Sequence, residues 1–220
     1  MTILENFSQG FDWALVDTVL LDMDGTLLDL HFDNAYWLHH MPNRYGEING
    51  LTYEQTLERI GPIFAREAGT LNWYSVDFWT AELGLDILQG SRELSHKISY
   101  RPKAREFLET CRQNSGDVRL VTNAHRRMLE MKIEFTQIDQ YFHQLLCSHE
   151  LDYAKEDTRF WHSLRKHAEY DPTRTLLIDD NEAVLQSAYE YGIKHIYSIA
   201  SPDSVKPRSA PSALKMIESF

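Results

Sequence analysis

The sequence predicts an α/β fold: a doubly wound parallel sheet with a helical segment inserted after its first strand. Short runs of valine, leucine and isoleucine occur on either side of residues 31–99, and helical patterns separate them. Continuous apolar character is typical of strands that are buried on both faces of a parallel sheet. Within residues 31–99 helical patterns continue, but no such run occurs. The length of 220 residues suits one domain with a smaller insertion.

Five segments are the expected strands. They cover residues 17–22, 117–122, 175–179 and 194–199, with a weaker candidate at 144–148. Three of them end in a residue capable of chemistry, namely Asp22, Thr122 and Asp179. Because ligands of parallel α/β sheets bind beyond the carboxyl ends of the strands, we expect the functional site at this edge.

Four helical patterns alternate with these strands, at residues 102–113, 126–135, 158–168 and 182–191. The last pattern stops at Gly192, and glycine commonly ends a helix in a left-handed conformation. Alternating strands and helices predict right-handed crossovers with helices on both faces of the sheet. Residues 201–211 contain three prolines and are expected to form a surface loop before a short final helix.

The inserted segment has its own helix signals. Thr52 and Gln55 have the spacing of a capping box, which predicts a helix that runs toward Ala68. Ser75 is placed to cap another helix that ends at Gly84. Aromatic residues gather in this part of the chain.

This pattern predicts a division into two parts. Residues 1–30 and 100–220 form an α/β core, and residues 31–99 form a helical cap. The alternative, that the inserted helices pack permanently on the sheet, has the same periodicity and stays open.

Composition and charge exclude several classes of protein. The net charge of −11 argues against a nucleic-acid partner, since such binding relies on lysine and arginine. The two cysteines, Cys111 and Cys147, form no CxxC pair, which favours a reducing cytoplasm. Residues 1–11 contain no basic side chain, unlike a signal peptide, and no apolar run reaches the roughly 18–20 residues of a membrane span. We therefore expect a cytoplasmic protein with no membrane or nucleic-acid partner.

The most informative motif is Asp22-Met-Asp24-Gly25-Thr26, at the end of the first strand. Residues two apart in a strand point to the same side, and the turn at Gly25 allows both carboxylates to reach one point. Such a pair can hold a divalent cation, or can divide the roles of nucleophile and proton donor. An EF-hand loop is excluded, because it requires glycine and glutamate where Leu27 and Asp33 stand. An acidic turn without chemistry remains possible for this motif alone.

Three later features extend the pattern. Thr122-Asn123 lies between a strand and a helix, where a hydroxyl and backbone N–H groups can hold an anion, although such pairs are more often helix caps. Lys155 precedes a predicted helix, and a single lysine is more often a surface charge. Asp179-Asp180 ends the third strand, and a cation would offset the repulsion between adjacent carboxylates.

Taken in order, these four motifs resemble those of the haloacid dehalogenase-like superfamily of phosphohydrolases. The resemblance covers nearly the whole chain and implies a Rossmann-like core with an inserted helical cap. One residue departs from the pattern: many members have proline after the motif lysine, and this chain has Glu156. The departure puts the local loop in doubt, and not the role of Lys155.

The resemblance implies a role for each motif residue. Asp22 would be the nucleophile that forms an aspartyl-phosphate, and Asp24 the general acid and base. Mg²⁺ would be held by Asp22, the backbone carbonyl of Asp24 and Asp180, with Asp179 as a water-mediated or orienting partner. The phosphoryl oxygens would be bound by Thr122, Asn123 and Lys155.

Other strings bear on the substrate. Residues 19–29, 70–74, 83–86, 122–125 and 155–157 resemble bacterial purine 5′-nucleotidases that act on GMP and IMP. The resemblance implies a small phosphate monoester, a purine nucleotide, as the substrate. Candidates for contact with the base are Trp37, Trp73, Tyr74 and Phe78 for stacking and Asn72 for its edge, although aromatic residues of a helical cap more often form its core.

Several charged residues near the motifs have less specific interpretations. Arg126 and Arg127 are expected to be solvated helix charges, although they are close enough in sequence to reach the phosphate or ribose. The ten histidines contain no zinc-ligand spacing, and His125 alone is expected at the edge of the site.

Two alternatives stay open from the residues. The same core would suit a phosphatase or phosphotransferase for sugar phosphates or phosphoglycolate. A phosphoacceptor signalling domain also uses aspartates, threonine and lysine, but its acidic pair ends the first strand, whereas here the pair comes last. The sequence gives no indication of the oligomeric state.

Overall fold

A single parallel sheet organises the molecule. The structure is a computed structural model that describes residues 3–4, 7–206 and 214–220. In this part of the chain seven strands lie in the order β1-β7-β6-β5-β2-β3-β4, and every neighbouring pair is parallel. Their bounds are Ile3–Leu4, Thr18–Leu21, Asp117–Thr122, Gln144–Cys147, Thr175–Asp179, His195–Ile199 and Met216–Ile217, for β1 to β7.

The five predicted strands are confirmed, including the weak candidate that forms β4. Strand β2 is central, because Leu21 pairs with Leu120 of β3 on one side and with Ile178 of β5 on the other. All four residues of β2 are buried, as expected for a strand with helices on both faces.

Helices cover both faces of the sheet, which confirms the doubly wound fold. After a single turn at Phe7–Gly10 (α1), the helices of this part are Ala104–Asn114 (α8), Arg126–Thr136 (α9), Thr158–His167 (α10) and Glu182–Tyr191 (α11). Phe107 and Leu129, from α8 and α9, pack in one apolar cluster with one face of the sheet. Trp161 and Leu185, from α10 and α11, pack in a second cluster on the other face.

Residues 31–99 contain only helices and connecting loops. The helices are His31–Ala35 (α2), Met41–Asn49 (α3), Tyr53–Glu67 (α4), Leu71–Tyr74 (α5), Val76–Leu83 (α6) and Ile87–Glu93 (α7), with a π turn at Tyr36–His40 and a 3₁₀ turn at Ser95–Lys97.

The predicted helix signals of this segment are confirmed. Thr52 and Gln55 form a reciprocal capping box at the start of α4. The Ser75 hydroxyl accepts a hydrogen bond from Phe78 N, and Gly84 ends α6 in the left-handed region. A third apolar cluster joins these helices to Met128 and Met131 of α9, so the insertion packs against the helix that follows β3.

The C-terminal prediction was wrong where the structure tests it. In place of a final helix, residues 214–220 contain the short strand β7, which pairs with β6 and β1. Phe220 stacks on Phe107 with ring centroids 4.3 Å apart. Two-residue edge strands are too short to show a pattern in sequence. Of the predicted loop, residues 201–206 are irregular, and 207–211 lie outside the described residues.

No helix in the described part of the chain is long and apolar enough to cross a membrane.

Candidate active site

The carboxyl ends of β2, β3 and β5 open into a cavity of about 370 Å³ between the sheet and the inserted helices. The residues predicted for catalysis, metal binding and phosphate binding all line it: Asp22, Asp24, Thr122, Asn123, Lys155, Asp179 and Asp180. The three strands adjoin one another in the sheet, so motifs more than 150 residues apart in sequence meet at one edge.

A tight turn after β2 brings the first motif against the last. Gly25 has a φ of 83°, in the left-handed region that favours glycine. A Cβ atom at this position would lie 2.5 Å from Asp180 Oδ2. The turn is closed by hydrogen bonds from Leu27 N and Leu28 N to the carbonyl of Met23. Glycine is therefore required here both for the backbone conformation and for the space beside Asp180.

Lys155 lies at the centre of the cluster. Its ammonium group donates to Asp22 Oδ1 at 2.6 Å, to Asp179 Oδ2 at 2.7 Å and to the carbonyl of Val121 at 3.0 Å. Only 2 % of its side chain is exposed. Burial lowers the pKa of Lys155, but the adjacent charges of Asp179 and Asp22 outweigh this and raise the pKa above its usual value. The lysine is thus held charged in the interior.

Three carboxylates surround this one lysine. Asp22, Asp179 and Asp180 each place an oxygen within 4.8 Å of the other two. Burial, together with the charges of Asp179 and Asp24, raises the pKa of Asp22 to about 7. Burial, together with the charges of Asp179 and Asp22, raises the pKa of Asp180. A divalent cation fits this group, because it prefers hard oxygen ligands and would offset the excess negative charge.

Asp24 has a separate environment. Its Oδ1 accepts a hydrogen bond of 2.6 Å from Lys132, which also donates to both oxygens of Asp33 at 2.8 and 2.9 Å. Lys132 is 1 % exposed. Burial, with the charge of Asp24, raises the pKa of Asp33 to about 7. The side chain of Asp24 is thus bound to a lysine and does not belong to the three-carboxylate group.

Sequence reasoning missed Lys132 and Asp33. A signal for the lysine was present, because it stands on the buried face of α9 with Leu129 and Thr136. A charged residue at that helical spacing requires a buried partner.

The loop after β3 forms another part of the site. Thr122 Oγ1 accepts a hydrogen bond from Ala124 N at 3.0 Å. Asn123 Oδ1 accepts from Lys155 N at 3.0 Å, and its Nδ2 donates to Glu156 at 2.9 Å. Glu156, which stands where many family members have proline, therefore has a specific partner in Asn123.

The inserted helices supply an aromatic wall to the same cavity. Its members are Trp37, Phe64, Trp73, Tyr74 and Trp79. Phe64 packs edge-on against Trp73 and Trp79, with centroids 5.7 and 4.7 Å apart. Trp73 is 36 % exposed, so part of its surface is open to a ligand.

Two sequence candidates for base contact do not line the cavity. Asn72 donates to Glu67 Oε2 at 3.0 Å, and Phe78 packs against Trp79 with centroids 5.1 Å apart. Both are explained by contacts within the insertion.

The charged residues after Asn123 have different partners. Arg126 pairs with Glu150 at 2.6 Å and Arg127 with Asp77 at 2.6 Å, so these arginines form ion pairs at the surface. His125 lines the cavity, as expected, and burial lowers its pKa.

The fold and the site define the class of the protein. The profile of the haloacid dehalogenase-like hydrolases matches residues 19–198, and the chain belongs to that family. It is an enzyme, a phosphoric monoester hydrolase.

Particular relatives share most of the chain. GMP/IMP nucleotidase YrfG of Escherichia coli (strain K12) is 41% identical over 192 residues, which are 87% of this chain and 86% of the relative. The protein of the same name from Shigella flexneri has the same identity and coverage. A phosphoglycolate phosphatase of Pseudomonas fluorescens is 27% identical, over 86% of this chain and 71% of the relative.

Solved structures show the same fold. A haloacid dehalogenase-like phosphatase from Thermococcus onnurineus superposes with a TM-score of 0.75 at 17% identity, covering 93% of this chain and 94% of that one. L-2-haloacid dehalogenase from Xanthobacter autotrophicus superposes with a TM-score of 0.61 at 12% identity, covering 93% and 95%.

Proposed function

We propose that this chain hydrolyses purine nucleoside 5′-monophosphates, GMP and IMP, with Mg²⁺ and through an aspartyl-phosphate intermediate. The observation that carries the proposal is a cavity with two unlike ends. One end holds the buried carboxylates and Lys155, and the other is the aromatic wall of the insertion. A phosphate ester whose leaving group carries a flat aromatic base matches both ends. The 41% identity to GMP/IMP nucleotidases supports the same substrates.

Asp22 is the proposed nucleophile. Its carboxylate attacks phosphorus, the bond from phosphorus to the ester oxygen breaks, and an acyl phosphate forms on Asp22. Lys155 donates to Asp22 Oδ1 at 2.6 Å, which fixes the direction of the carboxylate and offsets part of the carboxylate charge. Thr122 and Asn123 line the same end of the cavity and bind the phosphoryl oxygens.

Asp24 is the proposed acid and base. It gives a proton to the departing ester oxygen, which leaves as the nucleoside hydroxyl. It then takes a proton from the water that attacks the acyl phosphate, so that phosphate leaves and Asp22 is restored. Lys132 holds one oxygen of Asp24 at 2.6 Å, while Asp24 itself lines the cavity.

Asp22, Asp180 and the backbone carbonyl of Asp24 would hold Mg²⁺, with Asp179 as an indirect ligand. When bound, the ion supplies positive charge that offsets repulsion between the carboxylate and the phosphate. The close approach of three carboxylates, two of them buried, supports this assignment.

The inserted helices are the proposed cap that selects the leaving group. Trp37 and Trp73 both line the cavity and expose ring surface, so either ring can stack on a purine. This assigns residues 31–99 to the cap and residues 1–30 and 100–220 to the catalytic core. The buried free thiols Cys111 and Cys147 support activity in a reducing cytoplasm.

Phosphoglycolate is a second candidate substrate, because phosphoglycolate phosphatases are also among the relatives. Its small, charged leaving group offers nothing to stack on the aromatic wall. The cavity therefore favours the nucleotide.

A phosphate-release assay tests the proposal. The panel contains GMP, IMP, AMP, pyrimidine monophosphates, sugar phosphates and phosphoglycolate, each with Mg²⁺. We expect GMP and IMP to have the highest kcat/KM. Preference for phosphoglycolate or a sugar phosphate would contradict the purine assignment and retain the catalytic core.

A further inference from the structure

Glu156 accepts hydrogen bonds from side chains of three separate segments. The donors are the hydroxyl of Tyr74, Asn123 Nδ2 at 2.9 Å and Asn181 Nδ2 at 3.2 Å. Tyr74 lies in α5 of the insertion, whereas Asn123 follows β3 and Asn181 follows β5. One carboxylate therefore joins the insertion to two loops of the catalytic edge.

The two asparagines are fixed on both sides of their amide groups. Asn123 accepts from Lys155 N while it donates to Glu156, which sets the orientation of the amide. Asn181 Oδ1 accepts from Ala183 N at the start of α11 while Nδ2 donates to Glu156, and the backbone N–H of Asn181 donates to Asp179 Oδ1 at 2.9 Å. Glu156 thus holds the loop that carries Thr122 and the loop that carries the acidic pair.

The bond from Tyr74 crosses from the insertion to the core in a partly buried place. Burial and the charge of Glu156 raise the pKa of Tyr74, so the hydroxyl stays protonated and donates. A second bond lies nearby, where His149 Nε2 meets the carbonyl of Leu71 at 3.0 Å. Helix α5 is therefore attached to the core at both of its ends.

Two ion pairs between the insertion and the core are more exposed. The ion pair of Arg127 with Asp77 has side chains 48% and 64% exposed, and that of Arg92 with Glu134 is 35% and 54% exposed. Exposed ion pairs contribute little, whereas a hydrogen bond to a charged group contributes more. The contact of Tyr74 with Glu156 is thus expected to contribute more than either of these two ion pairs.

We infer that Glu156 is a positioning residue that couples the docking of α5 to the placement of the loops at Asn123 and Asn181. This role of Glu156 rests on the proposed use of the cavity for phosphoryl transfer and is independent of the purine preference. The residue acts through its neighbours and does not touch the reacting atoms. Its two functions are separable, because removal of the Tyr74 hydroxyl leaves both asparagine bonds to Glu156 in place.

Kinetics of three variants separate these functions. Tyr74→Phe keeps the ring and removes only the donor, so α5 docks less often and the apparent affinity falls by the docked fraction. We expect its KM to rise about tenfold while kcat changes less than twofold. Glu156→Gln replaces one carboxylate oxygen with an amide group that donates, and this group faces other donors, so the loops at Asn123 and Asn181 are disturbed as well. In addition to the rise in KM, we expect kcat to fall at least tenfold. In the double variant, KM should be no higher than in Glu156→Gln.

Tyr53→Phe is the matched control. Its hydroxyl also donates within the insertion, to the carbonyl of Leu38 at 2.8 Å, but on the exposed surface. We expect its kcat and KM to equal those of the wild type. Every variant is assayed with p-nitrophenyl phosphate as well as GMP. Activity on the first without activity on GMP would count against the purine proposal alone.

Amide hydrogen exchange gives a test that needs no turnover. Exchange over residues 69–76 should be faster in both Tyr74→Phe and Glu156→Gln, and unchanged in Tyr53→Phe. Exchange over residues 122–125 should be faster in Glu156→Gln alone. Unchanged exchange at 122–125 in that variant, or an equal loss of kcat in Tyr74→Phe, would overturn the inference.

Discussion

The ammonium group of Lys132 lies 2.6 Å from Asp24 Oδ1 and is 1 % exposed. Its second partner, Asp33, belongs to the first helix of the insertion. One buried lysine therefore links the proposed general acid to the segment that covers the site. The contact restricts Asp24 to one direction while the carboxylate still lines the cavity.

Lys132→Met is expected to lower both activity and stability. The two carboxylates lose their shared partner, and removal of one member of a buried ion pair costs about 3–5 kcal/mol. Loss of a correctly placed general acid lowers kcat by about 10²–10⁴. Steady-state kinetics and urea unfolding measure the two effects. Lys166→Met, at an exposed position of α10, is the control and should change neither. Normal kcat in Lys132→Met would contradict the role.

Asp33 predicts a pH dependence of stability. Its pKa in the folded protein is raised by burial to about 7, whereas the pKa in the unfolded chain is near 3.9. The folded state therefore binds this proton more tightly. The contribution of Asp33 protonation to the free energy of unfolding is complete below about pH 4 and is lost as the pH rises to about 7.

The asparagine of Asp33→Asn does not titrate, so this variant does not lose stability in the same way as the pH rises. From pH 5 to pH 7.5, the free energy of unfolding of Asp33→Asn should rise relative to the wild type by about 1–3 kcal/mol. Urea unfolding at several pH values measures the difference. A constant difference across this range would show that Asp33 titrates normally.

Gly25→Ala is expected to abolish activity. The new Cβ would lie 2.5 Å from Asp180 Oδ2, and the residue would keep a φ of 83°. Gly84 provides the matched control, because its φ of 65° is also left-handed but no atom lies within 4 Å of a built Cβ. We expect Gly84→Ala to lose about 1 kcal/mol of stability and to retain its kcat. Equal activity of the two variants would contradict the steric argument.

Removal of the metal should stop the reaction. We expect EDTA to abolish phosphate release and Mg²⁺ to restore it, because the three close carboxylates repel one another and the phosphate. Asp180→Asn should raise the Mg²⁺ concentration needed for half-maximal activity at least tenfold. Asp139→Asn, at an exposed position distant in sequence from the motifs, should leave it unchanged. Full activity in EDTA would refute the metal assignment.

Trp73→Ala tests the aromatic wall. Stacking on an aromatic ring contributes about 1–3 kcal/mol per base, so KM for GMP should rise about tenfold or more. The KM for p-nitrophenyl phosphate should change much less, since its ring is smaller. Phe135→Ala, a 49 % exposed aromatic outside the cavity lining, is the control. An equal rise for both substrates would indicate a general effect on the insertion.

The sequence predicted the parts of the fold whose patterns are local. Continuous apolar runs predicted the five longer strands, and the capping residues Thr52 and Ser75 marked two helix starts correctly. The edge strands β1 and β7 contain two residues each, and tertiary pairing alone defines them. The helix after Arg101 begins at Ala104, two residues later than its proline suggested, because Lys103 adopts a left-handed conformation.

The site was predictable to the extent that its residues stand at strand ends. Asp22, Thr122 and Asp179 meet because β2, β3 and β5 are neighbours in a parallel sheet. The side chains that bind Asp24 and Glu156, by contrast, include one from a helix face and one from the insertion. Lys132, Asp33 and Tyr74 are brought to the site by packing, and no local pattern specifies those distances.

The central claim is that Asp22 attacks the phosphorus of a purine nucleotide. Rapid mixing with GMP and Mg²⁺, acid quench and reduction with borohydride would convert an aspartyl phosphate to homoserine, which peptide mass spectrometry locates. We predict homoserine at position 22 in the wild type and none in Asp22→Asn. Phosphate release from GMP with no modification at Asp22, or with modification at another aspartate, would contradict the account.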